Sequence, residues 1–194
     1  MRRDFWKKNG LAVTGILCLL IAWQGRAMET VTGQESVVPE QQEARKVALT
    51  FDDGPSEYTM ELSRGLKERG VQATFFLLGE NMEERREMVE QLVKDGHLIG
   101  NHSYHHVQLN KLSKEAAKGE IEKTNQLIRE WTGEDPLYIR PPYGAWSQEL
   151  ENVVDMIPVF WNVDSLDWKL QNKERVLCCL SGQVEEGDMI LMHD

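Results

Sequence analysis

The chain has 194 residues, of which 41% are hydrophobic and 28% charged, as is ordinary for one soluble globular domain with a substantial core. Charge is distributed unevenly along it. Residues 1–27 hold five basic side chains and one acidic one, so that of the total charge of −10 the remaining residues carry −14. A body of that charge repels a phosphate backbone, which argues against nucleic-acid binding.

The N-terminus has the pattern of an export signal. A basic stretch, Arg2 to Lys8, precedes an apolar run of 13 residues from Leu11 to Trp23. That run is shorter than the ~20 residues that a membrane-spanning helix needs, and it fits the apolar region of a signal peptide. Because Gly25-Arg26-Ala27 is a poor cleavage site, residues 1–27 could also stay as a membrane anchor. Either way we expect an exported protein that meets the membrane only through this segment.

Residues 28–45 lack hydrophobic periodicity and are predicted to be a flexible tether. From Lys46 onward, strand-like and helix-like patterns alternate. The strand-like runs are Val47–Phe51, Ala73–Leu78, His97–Gly100, Leu137–Ile139, Val159–Val163 and Met189–Met192. Alternation of this kind predicts an α/β fold with a parallel sheet.

Three helices are predicted between the strands. The clearest spans Ser113 to Trp131, where apolar residues recur at helical spacing on one face. A second opens at Asn81, with Glu84 completing a capping box, and a third covers Lys173 to Val184.

Polar or unusual residues follow nearly every predicted strand, which favours a barrel-like arrangement. In parallel folds the carboxyl ends of the strands share one face, and chemistry collects there. Five segments are therefore expected to meet at one mouth: Asp52-Asp53, His102 to His106, Arg140 to Tyr143, Asp164 to Trp168, and His193.

Asp52 and Asp53 end the first strand. Side chains alternate along a strand, so the two carboxylates are predicted to point to different sides, one free to bind a metal and the other to act as a base. An Asp-Gly-Pro turn without catalytic function is an equal alternative when the segment is taken alone.

Four of the five histidines lie between His97 and His106. His102 and His106 are four residues apart, so one helical turn would place both imidazoles on one face, a common arrangement for zinc. A surface cluster is the alternative, and His105 is expected to point elsewhere.

The remaining segments are less specific when each is considered alone. Arg140 precedes two prolines, and His193 ends an apolar strand, so a structural turn and a core histidine are fair alternatives. Together, however, two histidines and a carboxylate leave an open coordination position, and a spare carboxylate and histidine supply a general base and acid. That combination describes metal-assisted hydrolysis.

In this order, the segments TFDDGP, HSYHH, RPPYG, DSLDW and LMH resemble the five motifs of the polysaccharide deacetylase family, carbohydrate esterase family four. The resemblance covers residues 46–194. It implies a deformed (β/α) barrel and a metal-dependent hydrolase that removes N-acetyl groups from N-acetylglucosamine-containing polysaccharide, such as bacterial cell-wall peptidoglycan or chitin-like oligomers. The chain stops directly after the fifth motif, so the barrel is expected to lack its last helix and strand.

The resemblance also implies roles for individual residues. Asp53, His102 and His106 match the metal ligands of the family. Asp52 matches the general base, and Arg140 matches the arginine that holds this base in place.

Further roles come from the later motifs. Asp167 is similar to the acid that orients the catalytic histidine, here His193. The backbone amide of Tyr143 is similar to a donor to the oxyanion, and Trp168 and Leu191 to residues that line the pocket for the acetyl methyl group.

One divalent ion is expected, zinc first, with cobalt or another divalent ion as alternatives. We expect a monomer that acts at the cell surface or outside the cell on a polysaccharide. Two other functions stay open: an O-acetyl esterase acting on xylan, which would use the same site, and a non-catalytic carbohydrate-binding relative.

Overall fold

The computed structural model describes residues 46–152 and 154–194; the predicted signal segment 1–27 and tether 28–45 lie outside them. The strands are β1 (Ala48–Asp52), β2 (Thr74–Leu77), β3 (Leu98–Asn101), β4 (Tyr138–Ile139), β5 (Ile157–Pro158), β6 (Val163–Asp164) and β7 (Met189–His193). The helices are α1 (Thr59–Glu68), α2 (Gly79–Met82), α3 (Arg86–Lys94), α4 (Lys114–Thr132), α5 (Gln148–Glu151), α6 (Asp167–Leu170) and α7 (Lys173–Ser181), with short 3₁₀ turns at Leu109–Lys111 and Pro142–Gly144.

Within these residues the strands form one seven-stranded sheet in the order β5-β4-β3-β2-β1-β7-β6, and every neighbouring pair is parallel. The predicted parallel α/β fold is confirmed. The sheet curls into a half-barrel, with β5 and β6 at its two edges. Since all strands run the same way, the segments that follow them lie at one end of the curl.

The two faces of the sheet differ in chemistry because side chains alternate along each strand. Phe51 and Phe75 stack on the outer face with ring centroids 5.3 Å apart, and they pack with buried residues of α1, α3 and α4. On the inner face Thr50 and Asp52 are buried and meet polar partners. The hydrophobic core therefore lies under the helices, while the inside of the curl carries polar groups.

Helix α4 follows its prediction closely. The Ser113 hydroxyl accepts a hydrogen bond from the Ala116 N–H at 3.2 Å and caps the helix, and Gly133 ends it with a left-handed φ of 82°. Its buried face consists of Ala117, Ile121, Thr124, Asn125 and Ile128.

The prediction that a helix begins at Asn81 and continues through Val89 and Leu92 is wrong in its first residue. The helix that buries Val89 and Leu92 is α3, which begins at Arg86, and no side chain caps it. Asn81 lies instead in α2, where its side-chain N–H donates to the Asp53 carbonyl at 2.7 Å. The side chain expected to start a helix is thus used at the end of β1. The third predicted helix, α7, ends at Ser181, before Val184.

The apolar run Val159–Val163 was predicted as one strand, and this is wrong. Residues 159–162 join β5 to β6, which begins at Val163, and these two strands lie at opposite edges of the sheet, so the chain crosses the opening of the curl here. Val159 is buried, the Phe160 carbonyl accepts from Arg140, and Trp161 packs near the same guanidinium. Val159, Phe160 and Trp161 are therefore apolar residues of a connection between two strands and not of a strand.

Among residues 46–152 and 154–194, no helix has both the length and the apolar character needed to cross a lipid bilayer.

Candidate active site

Three side chains converge beyond the ends of β1 and β3. Oδ1 of Asp53 lies 3.4 Å from Nε2 of His102 and 3.5 Å from Nε2 of His106. Among the described residues, these three form the one group of His, Cys, Asp and Glu side chains whose ligand atoms lie close enough together to hold a metal ion. Asp53, His102 and His106 are called the metal group below. The structure thus brings together the three residues that the sequence resemblance matched to metal ligands.

The chemistry of this group fits a divalent ion. Oδ1 of Asp53 is buried without a hydrogen-bond partner among the described residues, although two ring nitrogens face it. A tetrahedral ion about 2.0–2.2 Å from each ligand places its ligands about 3.3–3.6 Å apart, which matches both Asp–His distances. An ion here would satisfy a buried oxygen that accepts no hydrogen bond from the described residues.

The tautomer of His102 also suits metal binding. Its Nδ1 lies 2.6 Å from the carbonyl oxygen of Arg140, so Nδ1 carries the proton and donates it. Nε2, on the side of Asp53, is left with its lone pair for a metal.

The predicted helical turn between His102 and His106 is wrong. Residues 102–106 form a loop that contains two residues in the left-handed region, Ser103 with φ of 69° and His106 with φ of 53°. These two turns bring the rings together, with centroids 5.1 Å apart. Left-handed geometry at non-glycine residues costs energy, and residues with such strain cluster at functional sites.

The prediction that Asp52 and Asp53 point to different sides is also wrong. Asp52 is the last residue of β1, but Asp53 lies beyond the strand with a left-handed φ of 70°. Oδ2 of Asp52 and Oδ1 of Asp53 lie 3.7 Å and 3.4 Å from the same atom, Nε2 of His102. Alternation ends with the strand, and the turn at Asp53 returns its side chain to the side of Asp52.

The loop around His105 is fixed to neighbouring helices. As expected, His105 points away from the metal group, and its Nδ1 and backbone N–H both bind the Glu120 carboxylate, at 2.8 and 2.9 Å. The N–H groups of Gly79 and Glu80 donate to the carbonyls of Ser103 and Tyr104, each at 3.1 Å. The loop is thus held from α2 and from α4.

Asp52 forms a buried ion pair inside the curl. Its Oδ1 accepts from the Arg140 guanidinium at 2.8 Å, and the same nitrogen donates to Thr50 at 2.6 Å. Arg140 is completely buried and stacks over the Phe76 ring at 4.3 Å. Burial lowers the pKa of Arg140, and Asp52 opposes this. One oxygen of Asp52 is therefore fixed by the arginine while the other faces the metal group.

His193 and Asp167 form a second pair on the other side. Oδ1 of Asp167 lies 2.7 Å from Nδ1 of His193, and Oδ2 accepts from the His193 backbone N–H at 2.7 Å. Burial lowers the pKa of His193, but the hydrogen bond and charge of Asp167 outweigh it and leave the pKa above its ordinary value. For the acid the directions are reversed. Burial raises the pKa of Asp167, but its hydrogen bonds with His193 bring this pKa below its ordinary value.

The same electrostatics apply to the metal group. Burial raises the pKa of Asp53, but the three nearby histidines reverse this and hold it below its ordinary value. The pKa of His106 is lowered, first by burial and then by His102. Asp53 is thus ionised and His106 neutral at neutral pH, which are the forms that bind metal.

Tyr143 lies in the 3₁₀ turn after β4 with a left-handed φ of 60°. Its N–H has no acceptor among the residues that the structure describes. Its ring, 67% exposed, packs edge-on against His106 with centroids 4.7 Å apart. Tyr143 thus contacts a proposed metal ligand through its ring, and within the described part of the chain its backbone N–H is free to donate.

Trp168 and Leu191 are positioned differently from each other. Trp168 lies in α6 and is 57% exposed, whereas Leu191 is buried in β7, two residues before His193 and so on the same face. Their roles in a pocket for the acetyl group stay predictions.

Sequence reasoning did not find two residues that support the site, Thr50 and Asn81. Thr50 precedes Asp52 by two residues, so strand alternation could have placed both inside the curl. Asn81 gave no such signal, because it acts through a contact with a carbonyl 28 residues away.

The sequence and fold match known proteins. A family model described as polysaccharide deacetylase matches residues 40–159. A peptidoglycan-N-acetylglucosamine deacetylase of Bacillus cereus is 38% identical over 76% of this chain, and the peptidoglycan-N-acetylmuramic acid deacetylase PdaC of Bacillus subtilis is 37% identical over 83%. The solved structure of PdaC superposes with a TM-score of 0.75, covering 78% of this chain and 76% of that one.

The chain spans only part of these relatives. The matched segment is 55% of the Bacillus cereus protein and 34% of the full Bacillus subtilis protein.

Proposed function

This chain belongs to the polysaccharide deacetylase family, and we propose that it is a metal-dependent hydrolase that removes N-acetyl groups from N-acetylglucosamine-containing polysaccharide. We propose bacterial cell-wall peptidoglycan as its substrate, because the Bacillus cereus and Bacillus subtilis relatives are both named as peptidoglycan deacetylases.

One observation carries the proposal. A buried carboxylate oxygen of Asp53 without a hydrogen-bond partner faces two ring nitrogens, and a fixed carboxylate and a fixed imidazole flank it. Hydrolysis of an amide needs a polarised carbonyl, a base for water and an acid for the leaving amine, and this arrangement supplies residues for each.

We propose that Asp53, His102 and His106 hold zinc, which their one-carboxylate, two-imidazole set suits, although cobalt would fit the same ligands. When bound, the metal polarises the acetyl carbonyl and lowers the pKa of water toward ~7.

The protein's own residues then move the protons. Asp52, held by Arg140, removes a proton from the attacking water through its other oxygen. The Tyr143 N–H donates to the developing oxyanion, a contact typically worth about 10²–10³ in rate. His193, protonated and held by Asp167, donates a proton to the leaving amine.

We further propose that the chain works outside the cytoplasm. The basic and apolar pattern of residues 2–23 would direct export and could also hold the protein at the membrane.

Acetate release tests the proposal. The zinc-loaded protein is incubated in parallel with N-acetylglucosamine oligomers, peptidoglycan and acetylated xylan, with Asp52→Asn as the matched inactive variant. We expect the wild type to release acetate from N-acetylglucosamine oligomers and from peptidoglycan, and Asp52→Asn to release none. Release from xylan alone would instead indicate an O-acetyl esterase, and no release from any substrate would contradict the enzyme proposal.

A further inference from the structure

Asp194 follows the proposed catalytic acid and makes three contacts that reach β1 and the turn after it. Its backbone N–H donates to the Asp52 carbonyl at 2.9 Å. Its Oδ1 accepts from the Ser56 hydroxyl at 2.8 Å, and its Oδ2 accepts from the Thr59 hydroxyl at 2.6 Å. Neither hydroxyl belongs to the residues given a catalytic role above.

The two hydroxyls connect the carboxylate to the backbone of the turn. The Ser56 N–H donates to the Thr59 hydroxyl at 2.7 Å, and the Tyr58 N–H donates to the Ser56 hydroxyl at 2.9 Å. Each hydroxyl therefore accepts from the backbone and donates to Asp194. Chains of hydrogen bonds that run in one direction strengthen one another, and an ionised acceptor strengthens them further.

Gly54 completes the contact. A Cβ atom at this position would collide with Oδ2 of Asp194, so the carboxylate occupies the space that a side chain would fill. The turn is also held by the segment that follows β2, where the Leu78 N–H donates to the Gly54 carbonyl at 2.9 Å and Asn81 of α2 donates to the Asp53 carbonyl at 2.7 Å. Asp194 thus contacts the residues on both sides of Asp53, namely the Asp52 carbonyl and Gly54, while Asp53 itself has a left-handed φ of 70°.

We propose that Asp194 is a positioning residue of the metal site: by binding Ser56 and Thr59 and packing on Gly54, it fixes the turn that presents Asp53 to the ion. The inference rests on the proposed metal site but not on the proposed reaction. Partners that hydrogen-bond a metal ligand directly typically contribute 10- to 100-fold to metal affinity, and Asp194, which acts on Asp53 through the turn, is expected to reach the lower part of that range.

The test is the zinc affinity of the purified full chain, measured by competition with a chromophoric chelator. Asp194→Ala is expected to weaken zinc binding about tenfold or more, and Asp194→Asn, which keeps one acceptor oxygen, less so. The matched control is Asp188→Ala. Asp188 precedes β7 at its opposite end and accepts hydrogen bonds from the Glu185 N–H at 2.6 Å and from Asn162. Its loss is expected to lower the melting temperature without changing zinc affinity.

A second comparison separates positioning from general stability. Gly54→Ala alone is expected to weaken zinc binding, because its methyl group displaces the carboxylate, but it should cause little further loss in the Asp194→Ala background. Fully additive effects, or a zinc affinity of Asp194→Ala equal to that of Asp188→Ala, would overturn the proposal. Should Asp194→Ala not fold, Asp194→Asn and Gly54→Ala provide the same comparison. A wild type that binds zinc without releasing acetate would contradict the proposed reaction and leave this test intact.

Discussion

Nδ1 of His102 lies 2.6 Å from the carbonyl oxygen of Arg140, while the guanidinium of the same arginine binds Asp52. Arg140 thus contacts a proposed metal ligand through its backbone and the proposed base through its side chain. Substitution removes only the second contact. The two functions of the site, metal binding and proton removal, can therefore be separated at one position.

We expect Arg140→Lys to retain zinc affinity but to lower the rate of deacetylation about 10²-fold, the loss typical of a group misplaced by about 1 Å. Lysine keeps the charge, but it cannot contact Asp52, Thr50 and the Phe76 face with a planar fork. Single-turnover acetate release and zinc titration measure the two quantities. A parallel loss of zinc affinity would show that the carbonyl contact to His102 had moved as well.

The pH dependence of the reaction reports on His193. Asp167 raises the pKa of His193 against the effect of burial, and the protonated form is the proposed acid. Activity is therefore expected to fall as the pH rises through this pKa, and Asp167→Asn should move that alkaline limb to lower pH. Profiles of kcat/KM against pH for the two proteins measure the shift.

His193→Ala tests the proposed role of His193 as the acid more directly. Loss of nearly all turnover is expected, since no other side chain is proposed to protonate the leaving amine. Retained turnover in this variant, after adventitious metal is excluded, would contradict the role of His193.

Protein stability should depend on a different histidine. Burial lowers the pKa of His97, and its Nδ1 accepts a hydrogen bond from the Ala73 N–H at 3.2 Å, which requires the neutral ring. Because the folded-state pKa lies below the unfolded one, this contribution is complete above about pH 6.5 and is lost as the pH falls through the folded-state pKa. His97→Asn, which can keep an acceptor near the position of Nδ1, should flatten that part of the pH dependence. Urea unfolding at several pH values checks this, and an unchanged slope would count against the assignment.

Removal of the metal should lower stability without unfolding the domain. The core under α1, α3 and α4 is built from apolar contacts that do not involve the metal group. Zinc at 100 times its dissociation constant is expected to add about 2.7 kcal/mol to the free energy of unfolding. Thermal unfolding with zinc and with chelator measures this, and Asp53→Asn should lose most of the difference.

Local sequence patterns predicted much of the fold. The face of α4 and the runs at β1, β2, β3 and β7 follow from periodicity and from clear end signals such as Ser113 and Gly133. The run at Val159–Val163 failed because an apolar segment inside a curled sheet has the same composition as a strand. The prediction of a helix start at Asn81 failed because its side chain binds the Asp53 carbonyl and does not cap a helix.

The residues of the candidate site were predicted from the sequence, but the backbone geometry that brings them together was not. Spacing of four suggested a helix for His102 and His106, whereas left-handed turns at Ser103 and His106 bring the rings together. Such conformations depend on distant contacts, including those of Gly79 and Glu80 with the loop carbonyls. Short-range patterns do not contain this information. The contacts of Asp194 with Ser56 and Thr59 join residues more than 130 positions apart in the chain, so short-range patterns do not predict them either.

The order of the sheet has a consequence for how the protein matures. β1 pairs with β7, and Asp52 lies directly opposite His193, so the proposed base and acid come from the first and last of the seven strands that the structure describes. Closing so long a loop costs more entropy than forming a pair of strands that are near in sequence, so we expect the β1–β7 pair to form after the β1–β2 pair. During synthesis one edge of β1 can pair with β2 early, while the other edge pairs only after β7 has been made. The proposed base and acid therefore come together only once β7 has paired with β1, so a nascent chain that has not yet reached β7 is expected to lack the proposed activity.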